Sequence, residues 1–134
     1  MSFYNELNAA VYSQLSGGTA LVSALGGTAI YHGVAPEGRA LPYVVWSYQA
    51  SNRDNWTPSD SAQSVLFVRA YAATAKKAAE IDDSIADLMK TNLTLTNWTN
   101  FWLAREEELF LPETDETGVT TWMCGAYYRV RLDK

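Results

Sequence analysis

The C-terminal part of the chain alternates between apolar and polar side chains, and this alternation constrains the fold more than any other feature. Residues 121–132 predict a strand with one face buried against a core. The side chains expected on the buried face are those of Trp122, Cys124, Ala126, Tyr128, Val130 and Leu132. Those expected on the other face are Met123, Tyr127, Arg129 and Arg131. Such a strand requires neighbouring strands and a layer that covers its apolar side.

Other segments supply the neighbouring strands. Residues 43–50 also alternate, and residues 65–71 are apolar on both faces up to Arg69, which is typical of a central strand. Shorter or less regular patterns predict further strands over 30–32 and 101–111. Residues 51–62 are polar and predict a long loop. The acidic segment 111–118 is expected to join the last two strands as a hairpin with a long tip.

Helical periodicity occurs in two places. Phe3, Leu7, Val11 and Leu15 recur at helical spacing before Gly17-Gly18, and residues 19–25 have room for one or two further turns. A second helix begins at Thr74 and ends near Asn92. Its apolar stripe consists of Ala78, Ile81, Ile85, Leu88 and Met89.

We therefore predict an α+β fold: a mainly antiparallel β-sheet with two α-helices packed on one face and a long β-hairpin or loop extension. A length of 134 residues favours one domain over 1–134. The apolar content of 48% is sufficient for a core, whereas the charged content of 19% is below the average of about 25%. The low charge suggests that another subunit normally covers some of the surface.

Charge and cysteine content exclude several classes of protein. A net charge of −5 and a pI near 4.7 argue against a nucleic-acid reader, whose affinity comes from Lys and Arg. Cys124 is the single cysteine, so no internal disulfide is possible and cytosolic folding fits. The stretch between Glu6 and Glu37 lacks charge, but polar residues and glycine pairs interrupt it, so we expect neither a membrane segment nor a signal peptide.

No arrangement of residues indicates catalysis, and we expect a protein that is not an enzyme and uses no cofactor or metal. His32 is the only histidine and is expected to be structural or exposed, while Cys124 lies on a buried strand face. The glycine pairs lack the Lys and Ser/Thr of a phosphate-binding loop. A hard-cation site at Glu113, Asp115 and Glu116 lacks the ligand rhythm of a calcium loop.

An acidic run distinguishes the segment from Glu106 to Tyr128, which contains no Lys or Arg. Its acidic residues are Glu106, Glu107, Glu108, Glu113, Asp115 and Glu116. Strand alternation predicts Glu106 and Glu108 on one face and Glu107 on the other. The run either pairs with Arg129 and Arg131 and aids solubility, or presents a negative surface past which DNA slides without sticking.

Two consecutive motifs resemble a known protein family. Residues 30–38 read Ile-Tyr-His-Gly-Val-Ala-Pro-Glu-Gly, and residues 41–46 read Leu-Pro-Tyr-Val-Val-Trp. Together with Arg53, the helix from Thr74 and a closing Tyr-Arg-Val at 128–130, they resemble the tail completion or tail terminator proteins of long-tailed phages and prophages. The resemblance covers nearly the whole chain, except for the Trp-rich segment 97–102.

The resemblance implies a structural role in the virion tail or neck. Such proteins form a ring, commonly of six copies, that caps the tail tube, ends its polymerisation and joins the tail to the head. The implied partners are further copies of the chain, the tail tube protein and a head-closure or connector protein, with assembly in the host cytoplasm. DNA passes through the ring without specific binding, and no membrane or cofactor is involved.

The resemblance also implies functional residues, because loops and hairpin tips make the contacts in such proteins. We predict Arg53, Asp54, Asn55 and Trp56 as subunit-interface residues. Glu113, Asp115 and Glu116 are predicted to form a lumen or docking surface. The alternative for Trp56 is an aromatic anchor that folds onto its own core.

Other functions remain open from the sequence alone. An acidic inhibitor or immunity-type module that masks a basic protein partner would also explain the net charge and the carboxylate run. An enzyme would need a role for His32 or the acidic segment that the sequence does not suggest.

Overall fold

The computed structural model describes the backbone of residues 3–56 and 59–134, and the side chains of these residues outside 52–60. The described residues form three helices and five strands. In chain order these are α1 (Phe3–Ser16), α2 (Thr19–Leu25), β1 (Ile30–His32), β2 (Tyr43–Trp56), β3 (Ser59–Ala72), α3 (Ala75–Leu88), β4 (Thr99–Thr114) and β5 (Thr120–Asp133).

The strands form one sheet in the order β1-β2-β3-β5-β4. The short strand β1 pairs with β2 in parallel, and all the other pairs are antiparallel. The alternation that predicted the last strand is confirmed, because Cys124, Ala126, Tyr128, Val130 and Leu132 are all buried. The predicted α+β class, with a mainly antiparallel sheet, is also confirmed.

Each helix buries an apolar stripe on the same face of the sheet. Phe3, Leu7, Val11 and Leu15 of α1 are buried, as the periodicity predicted. Helix α3 begins at the Thr74 cap, whose Oγ1 accepts a hydrogen bond of 3.2 Å from the Lys77 N–H. The stripe of α3 packs into the same core cluster as Trp46 of β2 and Tyr128 of β5.

A third helix corrects the expected number of two. Residues 19–25 form a full helix, α2, which ends at Gly26 in a left-handed conformation with φ of 72°. The short segment is stable because Leu21 and Leu25 are buried in the shared core. Packing rather than length therefore decides its structure.

The predicted loop over residues 51–62 is wrong, because most of this segment forms a β-hairpin. Strand β2 continues to Trp56 and β3 starts at Ser59, with Arg53 opposite Ala62 and Trp56 opposite Ser59. Strand β5 accompanies β3 only as far as Ser61, which lies opposite Asp133. The end of the hairpin therefore projects past the rest of the sheet, which is why its sequence lacks the alternation of a strand with a buried face.

Strand β4 carries an irregularity that decides where its acidic side chains point. Arg105 lies opposite Tyr128, whereas Glu108 lies opposite Ala126, so one extra residue is accommodated between them. Such a bulge reverses the alternation of the residues that follow it. None of the helices described by the structure is long and apolar enough to cross a membrane.

Candidate interaction surfaces

The three helices cover one face of the sheet and leave the other without a helical layer. The residues of this second face, which we call the open face, follow from the strand register. In the half nearer the turn between β4 and β5, these residues are Tyr31, Tyr43, Val45, Arg69, Tyr71, Leu109, Leu111, Met123 and Gly125. In the half nearer the turn between β2 and β3, they are Ser47, Phe67, Tyr127, Val65, Arg129, Ala104, Gln63, Arg131 and Trp102. Val45 and Met123 are buried, although they lie outside the core cluster beneath the helices.

Aromatic side chains dominate the open face. Phe67 and Tyr127 stack with their ring centroids 4.5 Å apart and an angle of 21° between the planes. Tyr43 contacts Tyr71 at 5.2 Å and Tyr31 at 6.4 Å. Aromatic and arginine side chains are enriched at protein interfaces, where lysine and glutamate are depleted. A sheet face of this composition is typical of a surface that a protein partner covers.

Arg69 occupies the centre of the open face. Its guanidinium lies 4.9 Å above the Phe67 ring, and its Nη2 donates a long hydrogen bond of 3.4 Å to Ser47 Oγ. Its Nε is buried and has no acceptor in the described part of the chain. Gly125 lies opposite Arg69, and a Cβ at Gly125 would be 3.1 Å from Arg69 Cγ and 2.6 Å from the Val68 carbonyl oxygen. The glycine thus allows the arginine stem to lie flat on the sheet.

The bulge in β4 changes the predicted directions of the acidic run. Glu106 and Glu108 were expected on one face, but they form ion pairs on opposite faces. Glu106 accepts hydrogen bonds of 3.1 and 3.2 Å from Arg129 Nε on the open face. Glu108 pairs at 2.6 Å with Arg105 on the helix face. The expected pairing of the run with Arg129 is therefore confirmed, whereas Arg131 lies over the Trp102 ring at 5.7 Å.

Arg105 links β4 to helix α3, a contact that the sequence analysis missed. Its Nη2 donates to Asp82 Oδ2 at 2.6 Å, and its Nη1 donates to the Tyr128 hydroxyl at 2.5 Å. Asp82 is only 4% exposed. Burial acts to lower the Arg105 pKa, but the hydrogen bonds to Asp82 and Glu108 outweigh it and raise this pKa above its ordinary range. For the Tyr128 hydroxyl, burial has the opposite effect and raises the pKa to about 12. We interpret the cluster of Arg105, Asp82 and Tyr128 as a structural contact and not as a reactive centre.

The β4–β5 hairpin ends in an exposed turn that contains Asp115 and Glu116, and Glu113 lies just before it in β4. Asp115 Oδ1 accepts hydrogen bonds from the Thr117 hydroxyl at 2.7 Å and from the N–H groups of Thr117 and Val119. These bonds, led by that from the Thr117 hydroxyl, lower the Asp115 pKa. Asp115 thus organises the turn, whereas Glu113 and Glu116 are exposed and form no ion pair with any described side chain.

The residues predicted to form the subunit interface lie on the β2–β3 hairpin. Arg53, Asp54, Asn55 and Trp56 belong to the projecting end of β2, and their backbone pairs with β3. Their side chains lie outside the described residues, so the two roles predicted for Trp56 stay predictions. The two groups of predicted residues are not brought together, because the β2–β3 and β4–β5 hairpins project from opposite ends of the sheet.

His32 and Cys124, the two candidate reactive residues, have surroundings that are typical of residues with a structural role. His32 is exposed and stacks on Trp46, with ring centroids 4.1 Å apart and an interplanar angle of 13°. Cys124 is buried, and burial raises the pKa of its thiol to about 12. A thiol with so high a pKa is a poor nucleophile at neutral pH. Among the side chains that the structure describes, no three of His, Cys, Asp or Glu come together as a metal site.

Comparisons with known proteins agree with this architecture. The chain is similar over 99% of its length to a chain described as "Virion of native gene transfer agent (GTA) particle", all of which is covered, with a TM-score of 0.77 and 21% identity. At this level of sequence identity, the similarity shows a shared fold and nothing more. A search of curated proteins found no match. The sequence model described as "Tail completion protein gp17" matches residues 9–124. The chain therefore belongs to the tail completion protein gp17 family, as its resemblance to tail completion proteins predicted.

Proposed function

We propose that this structural tail protein caps the phage tail tube as a ring of identical copies, six in number. The ring ends polymerisation of the tube and provides the interface that joins the tail to the head. Its partners are the tail tube protein on one side and a head-closure or connector protein on the other. The protein acts in the tail or neck of the virion after assembly in the host cytoplasm, and it catalyses no reaction.

Membership of the tail completion family carries the proposal, since the family model spans most of the chain. The fold it shares with a chain described as part of a gene transfer agent virion adds support by analogy of fold.

The surfaces of the subunit suit a ring. A closed ring requires two different surfaces on each copy, because the contact between neighbours is head-to-tail. The open face is one extended surface, and the two hairpins project from the sheet as separate contact segments. We propose that Arg53, Asp54, Asn55 and Trp56 on the β2–β3 hairpin contact a neighbouring subunit.

Passage of DNA accounts for the acidic character of the chain. The net charge is −5, and Glu107 and Glu113 are exposed. Carboxylates that line a channel repel the phosphate backbone and prevent it from sticking. The alternative of an acidic inhibitor is less well supported, because Glu106 and Glu108 already pair with Arg129 and Arg105 of the same chain.

Polymerisation of the tail tube tests the proposal. The tube protein encoded by the same phage genome is polymerised with and without this chain, and tube lengths are measured by electron microscopy. We expect long, uncapped tubes without it and short tubes with a density at one end when it is present. Tubes of unchanged length with bare ends would contradict the proposed function.

The variant Trp56→Ala tests the proposed hairpin contact in the same assay. We expect this variant to keep the melting temperature of the wild type and to lose capping, because an interface side chain contributes nothing to the isolated fold. Tyr12→Ala removes an exposed aromatic ring from α1 and serves as the matched control, with capping retained. A fall in the melting temperature of Trp56→Ala would instead place Trp56 in its own core.

A further inference from the structure

The open face contains a cation that its own chain leaves without a carboxylate. Arg69 has five N–H donors. They make a long hydrogen bond of 3.4 Å to Ser47 Oγ and a hydrogen bond to the Tyr71 hydroxyl, and neither partner is a carboxylate. Of the other arginines on the sheet, Arg105 pairs with Asp82 and Arg129 pairs with Glu106, whereas Arg131 lies over the Trp102 ring at the edge of the open face. No acidic side chain of the described residues forms an ion pair with Arg69.

The β4–β5 hairpin presents the complementary chemistry. Glu116 lies in its turn, exposed and without a cation partner among the described side chains. Two large apolar side chains lie beside the turn and outside the open face, with Val119 58% exposed and Phe110 46% exposed. The turn is ordered by Asp115, whose Oδ1 accepts three hydrogen bonds. A segment that is ordered before binding loses less conformational entropy when it binds.

We propose that the open face is the surface on which the next copy of this chain packs, and that Glu116 in the β4–β5 hairpin of that copy pairs with Arg69. The apolar residues beside the turn then cover the aromatic side chains around Arg69. This contact is head-to-tail, since a different surface of each copy is used, and its repetition produces a closed ring. The inference rests on the proposed function, because it assumes that copies of the chain associate.

The charge distribution argues for a second copy as the occupant. The segment that covers Arg69 and its aromatic neighbours should present a carboxylate among apolar side chains. The same chain exposes such a segment in its β4–β5 hairpin, and a ring requires a second contact surface of this kind on each copy. Arginine is suited to such a contact because its planar group binds a carboxylate with two parallel hydrogen bonds. One sequence thus supplies both halves of the contact.

Chemical cross-linking between copies tests the pairing. In a Cys124→Ala background, Arg69→Cys and Glu116→Cys are prepared as separate proteins that differ in mass, mixed at high concentration and treated with a bis-maleimide reagent whose arm replaces the length of the two removed side chains. We expect a mixed dimer that exceeds the matched control by about tenfold, because the arm spans two positions that face each other at the interface but lie too far apart for a direct disulfide. The control pairs Arg69→Cys with Glu80→Cys, which lies at an exposed position on α3.

Each result of this experiment has a defined meaning. A mixed dimer no more abundant than the control contradicts the inference. Predominant Arg69→Cys homodimers also contradict it, because they would show open faces packed against each other. The wild-type protein is examined on tail tubes in parallel. If it caps the tubes while the mixed dimer stays at the control level, the pairing is wrong and the proposed function stands.

A charge exchange provides a second readout. Arg69→Glu and Glu116→Arg should each abolish capping, because each places like charges opposite one another in every contact of the ring. The double variant Arg69→Glu/Glu116→Arg should restore it. Melting temperatures identify any variant that fails to fold. A double variant that folds but caps no better than the single variants would overturn the inference.

Discussion

At the scale of single residues, the contact between Arg105 and Asp82 is the most deeply buried ion pair among the described residues. It joins the edge strand β4 to helix α3, and the side chain of Asp82 is 6% exposed. A buried carboxylate is stable only when a cation or several hydrogen-bond donors accompany it. Loss of the arginine would leave this carboxylate without its cation.

Substitution of Arg105 tests this dependence. Arg105→Leu is expected to lower the free energy of unfolding by about 3 kcal/mol, because removal of one partner leaves a buried charge. The double variant Asp82→Leu/Arg105→Leu should lose less, since neither charge then remains buried without its partner. Urea denaturation measures both values.

An exposed ion pair provides the control for this prediction. Lys90 and Asp87 are 3.1 Å apart, and each side chain is 76% exposed. Lys90→Ala should therefore change the free energy of unfolding by less than about 1 kcal/mol. Equal losses for Arg105→Leu and its double variant would refute the argument, because the cost would then come from packing and not from the isolated charge.

At the scale of secondary-structure elements, Glu6 fastens helix α1 to the segment before β4. Its Oε1 accepts hydrogen bonds from the N–H groups of Asn97 at 2.7 Å and Thr96 at 3.0 Å, and its Oε2 accepts one from Asn97 Nδ2 at 3.2 Å. These bonds, led by that from the Asn97 N–H, lower the Glu6 pKa. The ionised carboxylate therefore stabilises the folded state.

The pH dependence of Glu6→Gln follows from this direction. A pKa that is lower in the folded state gives stability that is present above the unfolded value of about 4.3 and lost as the pH falls through the folded value. The variant should thus melt at a lower temperature than the wild type at pH 7, and the difference should shrink below pH 4. Glu80→Gln, at an exposed position on α3, is the control. A difference that does not change between pH 7 and pH 3 would show that the Glu6 charge is unimportant.

Elements that bury a regular stripe were predictable from the sequence, and elements that depend on distant contacts were not. The α3 stripe and the β5 alternation follow from local periodicity. The projecting part of the β2–β3 hairpin has no packed face, so its residues lack a pattern. The bulge in β4 is invisible in the local sequence, yet it determines that Arg105 reaches Asp82 and that Glu106 reaches Arg129.

Candidate site residues also divide into those whose position could be predicted from the local sequence and those that depend on distant contacts. The exposed residues Glu113 and Glu116 were recognisable as an acidic hairpin tip, whereas the role of Asp115 in the turn depends on its three hydrogen bonds. Arg69 was visible only as the polar residue in an otherwise apolar strand. That irregularity was the one sequence signal for the open face, and the strand register was needed to place Arg69 beside Phe67 and Gly125.

At the scale of the whole molecule, the subunit combines a rigid core with two surfaces left for partners. One face of the sheet is sealed by three helices, and the other shows stacked aromatic rings around Arg69. The two hairpins extend beyond the sheet at opposite ends. In the ring that we propose, further copies of the chain cover these surfaces.

Cryo-electron microscopy of tail tubes assembled with this chain tests the central claim most directly. We predict a ring at one end of each tube, built from six copies related by rotation, with the β4–β5 hairpin of each copy against the open face of the next. A single copy bound at the tube end, or a tube end without this protein, would contradict the claim that the chain acts as a ring.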